Sequence, residues 1–302
     1  MKTRCIIAIV LCVGLLMMPV LSTAESRLDK VKRTGKLTVG AREGSPPFGF
    51  YDQKGNWVGW SMDLSSALHK LIEKKLGMDI ELVFKPVTAQ TRIPLIVNGT
   101  LDWVLGSAAI TVDREGVIDF SIQNNANWGA LLVPKDSPIR TIEDLGGKRV
   151  GVTAGSTDER MMTQMGQTGR ISPAPRVITF GKHSEGFLAL QQGKTDAHFT
   201  ADIFLEGLRV KAPNPENFEV RGFPEELGYR VTGLLLPEND SDWRDMVNHA
   251  LCYFIRSGGY YELYDEWFGP NNPKAGFPRP LRDPIKTVLY WQCWGGTDTW
   301  LK

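Results

Sequence analysis

Arg114 follows a run of small residues in the stretch GSAAITVDREGVIDFS, which extends from Gly106 to Ser121. A solvent-exposed arginine needs no small residues beside it, whereas a bound anion needs a smooth approach to the guanidinium. A guanidinium binds a carboxylate through two parallel hydrogen bonds, which the ammonium group of a lysine cannot do. The pattern therefore indicates an anion-binding arginine, with a solvated surface charge as the alternative.

A second polar turn, AGSTDE, precedes a predicted helix that begins at Ser156 and Thr157. The N–H groups in the first turn of a helix have no acceptor within the helix, and they favour a bound anion. Both polar turns follow predicted strands, and open α/β sheets bind ligands at the carboxyl ends of their strands. We therefore expect the two turns to hold one anionic ligand.

The residue types that would indicate a metal centre or an enzyme lack the required spacing. The four histidines show no metal-ligand spacing, and the chain contains neither CxxC nor HExxH. There is no GxSxG elbow, and GGKRVG lacks the upstream glycine and the serine or threonine of a phosphate loop. The sequence thus predicts no metal, no cofactor and no catalytic residue.

The first 24 residues have the pattern of a signal peptide. Lys2 and Arg4 precede an apolar run that ends in Ser22-Thr23-Ala24, which predicts cleavage after about Ala24, with a membrane anchor as the alternative. Cleavage removes two positive charges, so the formal net charge changes from +1 to −1. A near-neutral exported chain argues against nucleic acid or an anionic membrane as its partner, and we expect an exported, soluble protein.

Cys252 and Cys293 are the two cysteines that remain after this cleavage. An oxidising compartment permits a disulfide between them, and two free thiols are the alternative. A disulfide would fasten the C-terminal tail to the helix predicted around Cys252.

Strand and helix patterns alternate along the chain in two series. KLTVGA (36–41) predicts a buried strand, and the apolar residues from Leu64 to Leu76 follow at helical spacing. The second series begins after Pro134 with KRVGVTAGS, TDERMMTQMG, PRVITF and SEGFLALQQG. This alternation predicts two α/β lobes in tandem, each with parallel strands joined by crossover helices.

In its ordered motifs the chain resembles the periplasmic substrate-binding proteins of polar amino-acid ABC transporters (solute-binding protein family 3), especially the glutamate/aspartate-binding members. The likeness covers about Leu28 to Phe268 and includes GWSMDLSSAL, GSAAITVDREGVIDFS, DLGGKRVGVTAGST, KHSEGFLALQQGKTDA and YDEWF. It implies a two-lobed type II periplasmic-binding-protein fold, with ligand in the interlobe cleft and a hinge of two crossing segments. Residues 25–133 and 229–302 would form the first lobe and the tail, and 134–228 the second.

The resemblance also implies roles for individual side chains. Arg114 would hold the α-carboxylate of the ligand, and Ser107 would add a hydroxyl or a backbone group. Ser156 and Thr157 would hold the same carboxylate from the second lobe, so that ligand binding is coupled to closure of the lobes.

A second carboxylate would be held by Arg42 and Arg92 from the first lobe, with His183 reaching across from the second lobe. Phe48 would be the aromatic residue that covers the ligand, whereas core and loop packing is the alternative role of the neighbouring Phe50, Trp57 and Trp60. Three arginines in one cleft would repel one another strongly without a ligand whose charge is close to two minus. The resemblance thus implies a small anionic ligand, an acidic amino acid or a dicarboxylate.

The chain departs from the family where the acid that holds the ligand ammonium is expected. That position is Ala201, and Asp202 comes one residue later. A shift of one residue turns a strand side chain to the other face, but a bulge at a strand end can re-aim it. Ala109 and Ala89 also replace polar residues of relatives. We predict that Asp202 holds the ammonium, and the alternative is a ligand that has none.

These implications predict the periplasmic solute-binding component of an ABC transporter for acidic amino acids, glutamate or aspartate. The protein would act as a monomer that delivers its ligand to the permease subunits in the membrane. One alternative is a dicarboxylate-binding protein of the same fold. Another is a cleft enzyme such as a dehydratase, which would need a general acid such as Glu185 or Asp202.

Overall fold

The computed structural model describes residues 25–271, 273–281, 283–293 and 300–301, so the predicted signal peptide lies outside the described residues. The strands are β1 (Lys36–Ala41), β2 (Phe50–Tyr51), β3 (Trp57–Val58), β4 (Glu81–Pro86), β5 (Trp103–Ala109), β6 (Asp119–Phe120), β7 (Asn125–Pro134), β8 (Arg149–Thr153), β9 (Arg176–Phe180), β10 (Ala197–Ala201), β11 (Phe218–Gly222) and β12 (Tyr229–Leu236). The α-helices are α1 (Arg27–Thr34), α2 (Trp60–Leu76), α3 (Arg92–Val97), α4 (Val112–Glu115), α5 (Thr157–Gln167), α6 (His183–Gln191), α7 (Asp202–Arg209), α8 (Pro224–Leu227), α9 (Ser241–Arg256), α10 (Gly259–Phe268) and α11 (Asp283–Trp291).

Ten strands form one continuous sheet whose main path is β4-β1-β5-β12-β7-β10-β8-β9. The parallel pairs β1–β4, β1–β5, β8–β9 and β8–β10 confirm the strand–helix alternation that the sequence predicts in each half. β7 and β12 are antiparallel to their neighbours, which alternation alone did not predict. The result is the two-lobed type II arrangement, in which two α/β halves share a central antiparallel pair.

β7 belongs to both halves of the sheet. Residues 125–128 pair with β12, whereas residues 129–134 pair with β10 and β11 of the second half. This pairing favours a crossing between the lobes at Gly129. The lobe limits expected from the sequence, at 133–134 and 228–229, stay a prediction.

Each half has its own apolar core. In the first half, α2, α9 and α10 bury Trp60, Trp103 and Trp243 against the sheet. The second half packs around Val150 and Phe199. No helix of the described residues is both long and apolar enough to cross a membrane.

A disulfide and an ion pair are among the contacts that fasten the C-terminal tail. Cys252 in α9 forms a disulfide with Cys293, just beyond α11. Before α11, the Arg279 guanidinium donates to the Asp202 carboxylate at 2.9 Å and to the Ala126 carbonyl at 3.2 Å. The tail therefore contacts the central strand β7, the start of α7 and, through the disulfide, helix α9 of the first half. Its helix was not predicted from the sequence.

Removing the disulfide should destabilise the protein. The bridge closes a loop of 41 residues, and loop-closure entropy predicts that a bridge of this span stabilises the fold by roughly 3–4 kcal/mol. Equilibrium unfolding in guanidinium should show this loss in the Cys252→Ser/Cys293→Ser double variant. Reductant should destabilise the wild type and leave the double variant unchanged. A double variant within about 1 kcal/mol of the wild type would show that the bridge is not a major stabilising element.

Candidate functional site

A cleft lies between the two halves of the sheet, at the ends of the strands. Seven of the nine predicted site residues line it, whereas Phe48 and Asp202 do not. The lining residues are Arg42, Arg92, Ser107, Ala109, Arg114, Asn127, Ser156, Thr157, Asp158, His183, Thr200, Ala201, Phe204 and Arg230. The free space in the cleft is about 30 Å³, which leaves room for no more than a few water molecules, so the two halves lie close together.

The three predicted arginines all come from turns at strand ends of the first half. Arg42 directly follows β1, Arg92 begins α3, and Arg114 lies in the short helix α4 that follows β5. They are 5%, 4% and 5% exposed, respectively. Arg114 Nη1 donates to the Ala109 carbonyl at 2.7 Å, which fixes the direction of its guanidinium. Parallel strands that end at one edge thus bring the three arginines into one cleft.

These arginines are short of partners. Among the described residues, the guanidinium groups of Arg42 and Arg92 have no hydrogen-bond acceptor, and Arg92 Nε is buried without a partner. Burial lowers the pKa of Arg42 to about 10. Burial, followed by the neighbouring charges of Arg114 and Arg42, lowers the pKa of Arg92 well below its ordinary value. Burial therefore makes the charged form of these arginines unfavourable, and a bound anion would offset that free-energy cost.

Asp158 and Arg230 lie in the same cleft, and the sequence did not predict either as a site residue. One oxygen of the Asp158 carboxylate accepts from Thr200 Oγ1 at 2.8 Å, and the other pairs with Arg230. Asp158 directly follows Ser156 and Thr157 in the first turn of α5, where an acid is expected merely to favour the helix start. The position of Asp158 in that polar turn was the sequence feature that could have indicated a place in the binding site.

Ser107 has an unusual backbone conformation. Its φ of 51° lies in the left-handed region, which is uncommon for residues other than glycine and often marks a functional site. The pairing of β12 with β5 is irregular between Gly233 and Leu235, opposite this part of β5. Ser107 Oγ accepts from Asn127 Nδ2 at 3.0 Å, so its own hydroxyl hydrogen is left for another acceptor.

The second half contributes a helix start and a histidine. Ser156 caps α5 by accepting from the Glu159 N–H at 3.1 Å, and the N–H groups of the first helical residues have no acceptor within the helix. His183 Nδ1 and Thr153 Oγ1 are 2.8 Å apart, and the imidazole stacks on Phe204 with 4.5 Å between ring centroids. Burial and then the Arg42 charge lower the pKa of His183 well below 6.5, so the imidazole is neutral at physiological pH.

Asp202 does not face the cleft, so the prediction that its carboxylate holds a ligand ammonium there is wrong. β10 ends at Ala201, which lines the cleft, and α7 begins at Asp202 on the opposite side. The Asp202 carboxylate accepts from Arg279 at 2.9 Å and from the Trp128 N–H at 3.2 Å. The shift of one residue therefore turns the Asp202 side chain away from the cleft, and no bulge at the end of β10 turns it back.

Two further predicted residues lie away from the lining. Phe48 is 1% exposed and packs against Phe204 with 5.0 Å between ring centroids, so it stands behind the residue that lines the cleft. Glu185, considered as a general acid, accepts instead from the N–H groups of Gly181 and Lys182 at the start of α6.

Polar contacts join the two halves around the cleft. Lys182 Nζ and Glu43 Oε2 lie 2.9 Å apart, and the Ser184 N–H donates to the Gly44 carbonyl at 3.1 Å. Arg160 of the second half pairs with Asp113 of the first. These contacts lie on the surface around the lining residues, and they hold the closed arrangement.

Comparison with known proteins agrees with the two-lobed fold. A curated relative, the glutamate/aspartate import solute-binding protein of Salmonella typhimurium strain LT2, is 34% identical over 271 residues, which is 88% of each chain. A solved structure of an ancestral arginine-binding protein bound to arginine is 32% identical, with a TM-score of 0.69, over 78% of this chain and 99% of that one. An ancestral amino acid-binding protein, described as a precursor of cyclohexadienyl dehydratase, is 28% identical with a TM-score of 0.67, over 80% and 99% of the two chains.

Residues 37–270 match the sequence profile of the bacterial extracellular solute-binding proteins, family 3. The match begins in β1 and ends beyond α10, so it contains every residue that lines the cleft. The relatives differ in the ligands that their names give, and family membership does not by itself select one. The chain belongs to the bacterial extracellular solute-binding proteins, family 3.

Proposed function

We propose that this protein is the periplasmic solute-binding component of an ABC importer for small ligands that carry two carboxylate groups. The class includes the acidic amino acids, which the name of the Salmonella relative supports, and plain dicarboxylates. The observation that carries the proposal is the lining of the cleft, where four arginines meet a single carboxylate.

The charges in the cleft argue for a dianion. Asp158 compensates Arg230, which leaves Arg42, Arg92 and Arg114 without an acid in direct contact among the described residues. Like charges a few ångströms apart repel by several kcal/mol where water is largely excluded. A ligand with two carboxylates would offset most of this repulsion and accept hydrogen bonds from more than one arginine at once.

The positions of the groups couple binding to closure. Arg42, Arg92 and Arg114 come from the first half, whereas Ser156, Thr157 and His183 come from the second. A ligand that contacts both sets is bound fully only when the halves close, and hinge closure around a ligand is a known mode of binding. We infer that the closed, ligand-bound monomer is the form that docks on the permease subunits.

Binding, rather than catalysis, is the function we propose. The two acids considered as general acids in the sequence, Glu185 and Asp202, lie outside the lining and are occupied by other groups. Delivery of a solute requires only affinity and closure, and the lining residues account for both.

Replacing Arg114 by lysine should greatly weaken binding of a two-carboxylate ligand. The lysine keeps the charge but loses the paired hydrogen bonds, and the loss of such a buried contact costs about 2–5 kcal/mol, or at least about 30-fold in Kd. Calorimetry with glutamate and glutarate measures this effect. Arg33→Lys in α1, whose guanidinium pairs with Glu25 on the surface, is the matched control. An Arg114→Lys protein within about threefold of the wild type would exclude Arg114 as an anchor.

Replacing Arg42 or Arg92 by glutamine should weaken the binding of dicarboxylates more than the binding of their monoamides. The second carboxylate gains an electrostatic attraction that an uncharged amide never had. The comparison uses two ligand pairs, glutamate with glutamine and glutarate with its monoamide, and measures Kd for each variant. Equal losses within both pairs would contradict the assignment of these arginines to a second carboxylate.

Affinity should stay constant between about pH 6 and pH 8. A protonated His183 would add a positive charge and tighten anion binding as the pH falls, but its pKa is held well below the ordinary value of 6.5. Titration calorimetry across this range tests the point, with His183→Gln as a control that has no titratable group at this position. A rise in affinity of more than about threefold from pH 8 to pH 6, in the wild type alone, would show that His183 becomes charged.

A further inference from the structure

We propose that the natural ligand carries no ammonium group and is a short dicarboxylate rather than an amino acid. This inference rests on the proposed function, because it selects between the two ligand classes that the arginines would accept. It is carried by the balance of hydrogen-bond donors and acceptors in the lining, and by the place that Arg230 occupies.

The lining is rich in donors that lack acceptors. Arg92 Nε and Arg230 Nε are buried without a partner. The Arg42 guanidinium has no acceptor among the described residues. The Ser107 hydroxyl hydrogen and the first N–H groups of α5 add further donors from both halves. A ligand made of carboxylates offers only acceptors at neutral pH and therefore complements this surface.

Three acceptor groups in the lining already accept a hydrogen bond from the protein. The Ala109 carbonyl accepts from Arg114 at 2.7 Å, and Ser107 Oγ accepts from Asn127 at 3.0 Å. The Asp158 carboxylate has one oxygen on Thr200 and the other on Arg230. A ligand ammonium brings three donors and no acceptor, and it would have to share these oxygens with the protein's own donors.

Arg230 supplies the positive charge that an amino acid would otherwise bring to the acid of the cleft. It extends from β12 between the two halves and pairs with Asp158 of α5. The side chains of the pair are 11% and 8% exposed. An ammonium that displaced Arg230 would leave a buried guanidinium without its partner, and breaking a buried pair in this way is strongly unfavourable.

The cleft wall is apolar where Ala201 and Ala109 line it. Ala201 ends β10 next to Thr200 and presents only a methyl group, and Ala109 ends β5 in the same way. Asp202, the nearest acid in sequence to Ala201, is bound by Arg279 outside the cleft. An ammonium in this cleft would therefore lie among four arginines, with a single acid that is already paired.

The direct test compares glutarate with glutamate on the wild-type protein by calorimetry, after unfolding and refolding have removed any ligand carried through purification. The two compounds share both carboxylates and differ in the ammonium group. We expect glutarate to bind at least tenfold more tightly. Equal or tighter binding of glutamate would overturn this inference and leave the proposed function intact. If neither bound, the proposed function would fail, and the inference with it.

A variant at Ala201 tests whether the missing acid is the reason that glutarate is preferred to glutamate. Ala201→Asp places a carboxylate at the end of β10, facing the cleft, and should raise the affinity for glutamate relative to glutarate by at least tenfold. Ala201→Asn, which has nearly the same size and no charge, is the matched control and should leave the ratio near the wild-type value. A ratio that does not move in a folded Ala201→Asp protein, as judged by its thermal melt, would contradict the account of the missing acid.

Discussion

Burying a guanidinium without a counter-charge is among the least favourable arrangements that a folded protein can contain, and this cleft contains several. Arg42, Arg92 and Arg114 are each at least nine-tenths buried, and the acid in the cleft lining, Asp158, is paired with Arg230. The fold has to supply enough stability elsewhere to hold these charges together. Two separate apolar cores and a disulfide provide that stability. The excess of positive charge then increases the affinity of the cleft for an anion that neutralises it.

The α/β architecture makes such convergence possible. Parallel strands end at a common edge, so the turns after β1 and β5 carry their arginines to one place while the strands stay apart. The second half places the start of α5 opposite them, which adds a favourable end of a helix dipole. The antiparallel strands β12 and β7 lie side by side at the centre of the sheet and connect the two halves. Ion pairs around the cleft, such as Lys182 with Glu43, then hold the closed arrangement.

Sequence patterns predicted most of the parallel strands and the longer helices, because strand ends and helix starts are local features, but they did not predict β7, β11 or α7. Arg114 was indicated by its own surroundings in the sequence, whereas Arg42 and Arg92 were assigned to the cleft by the family resemblance. Sequence patterns failed where a side chain's direction depends on one residue of register or on a distant partner. Asp202 begins a helix and binds Arg279 from the tail, a contact between residues 77 positions apart. The Asp158–Arg230 pair joins residues 72 positions apart. Neither partner can be recognised until the sheet order is known.

The central claim is that uncompensated arginine charge selects the ligand by its negative charge. Calorimetry with three compounds of equal length, glutarate, its monoamide and its diamide, measures that dependence on the unmodified protein. The account predicts that affinity falls at least tenfold with each carboxylate replaced by an amide, since each replacement removes one charge and keeps the shape. Similar affinities for all three compounds, or tightest binding of the diamide, would contradict it.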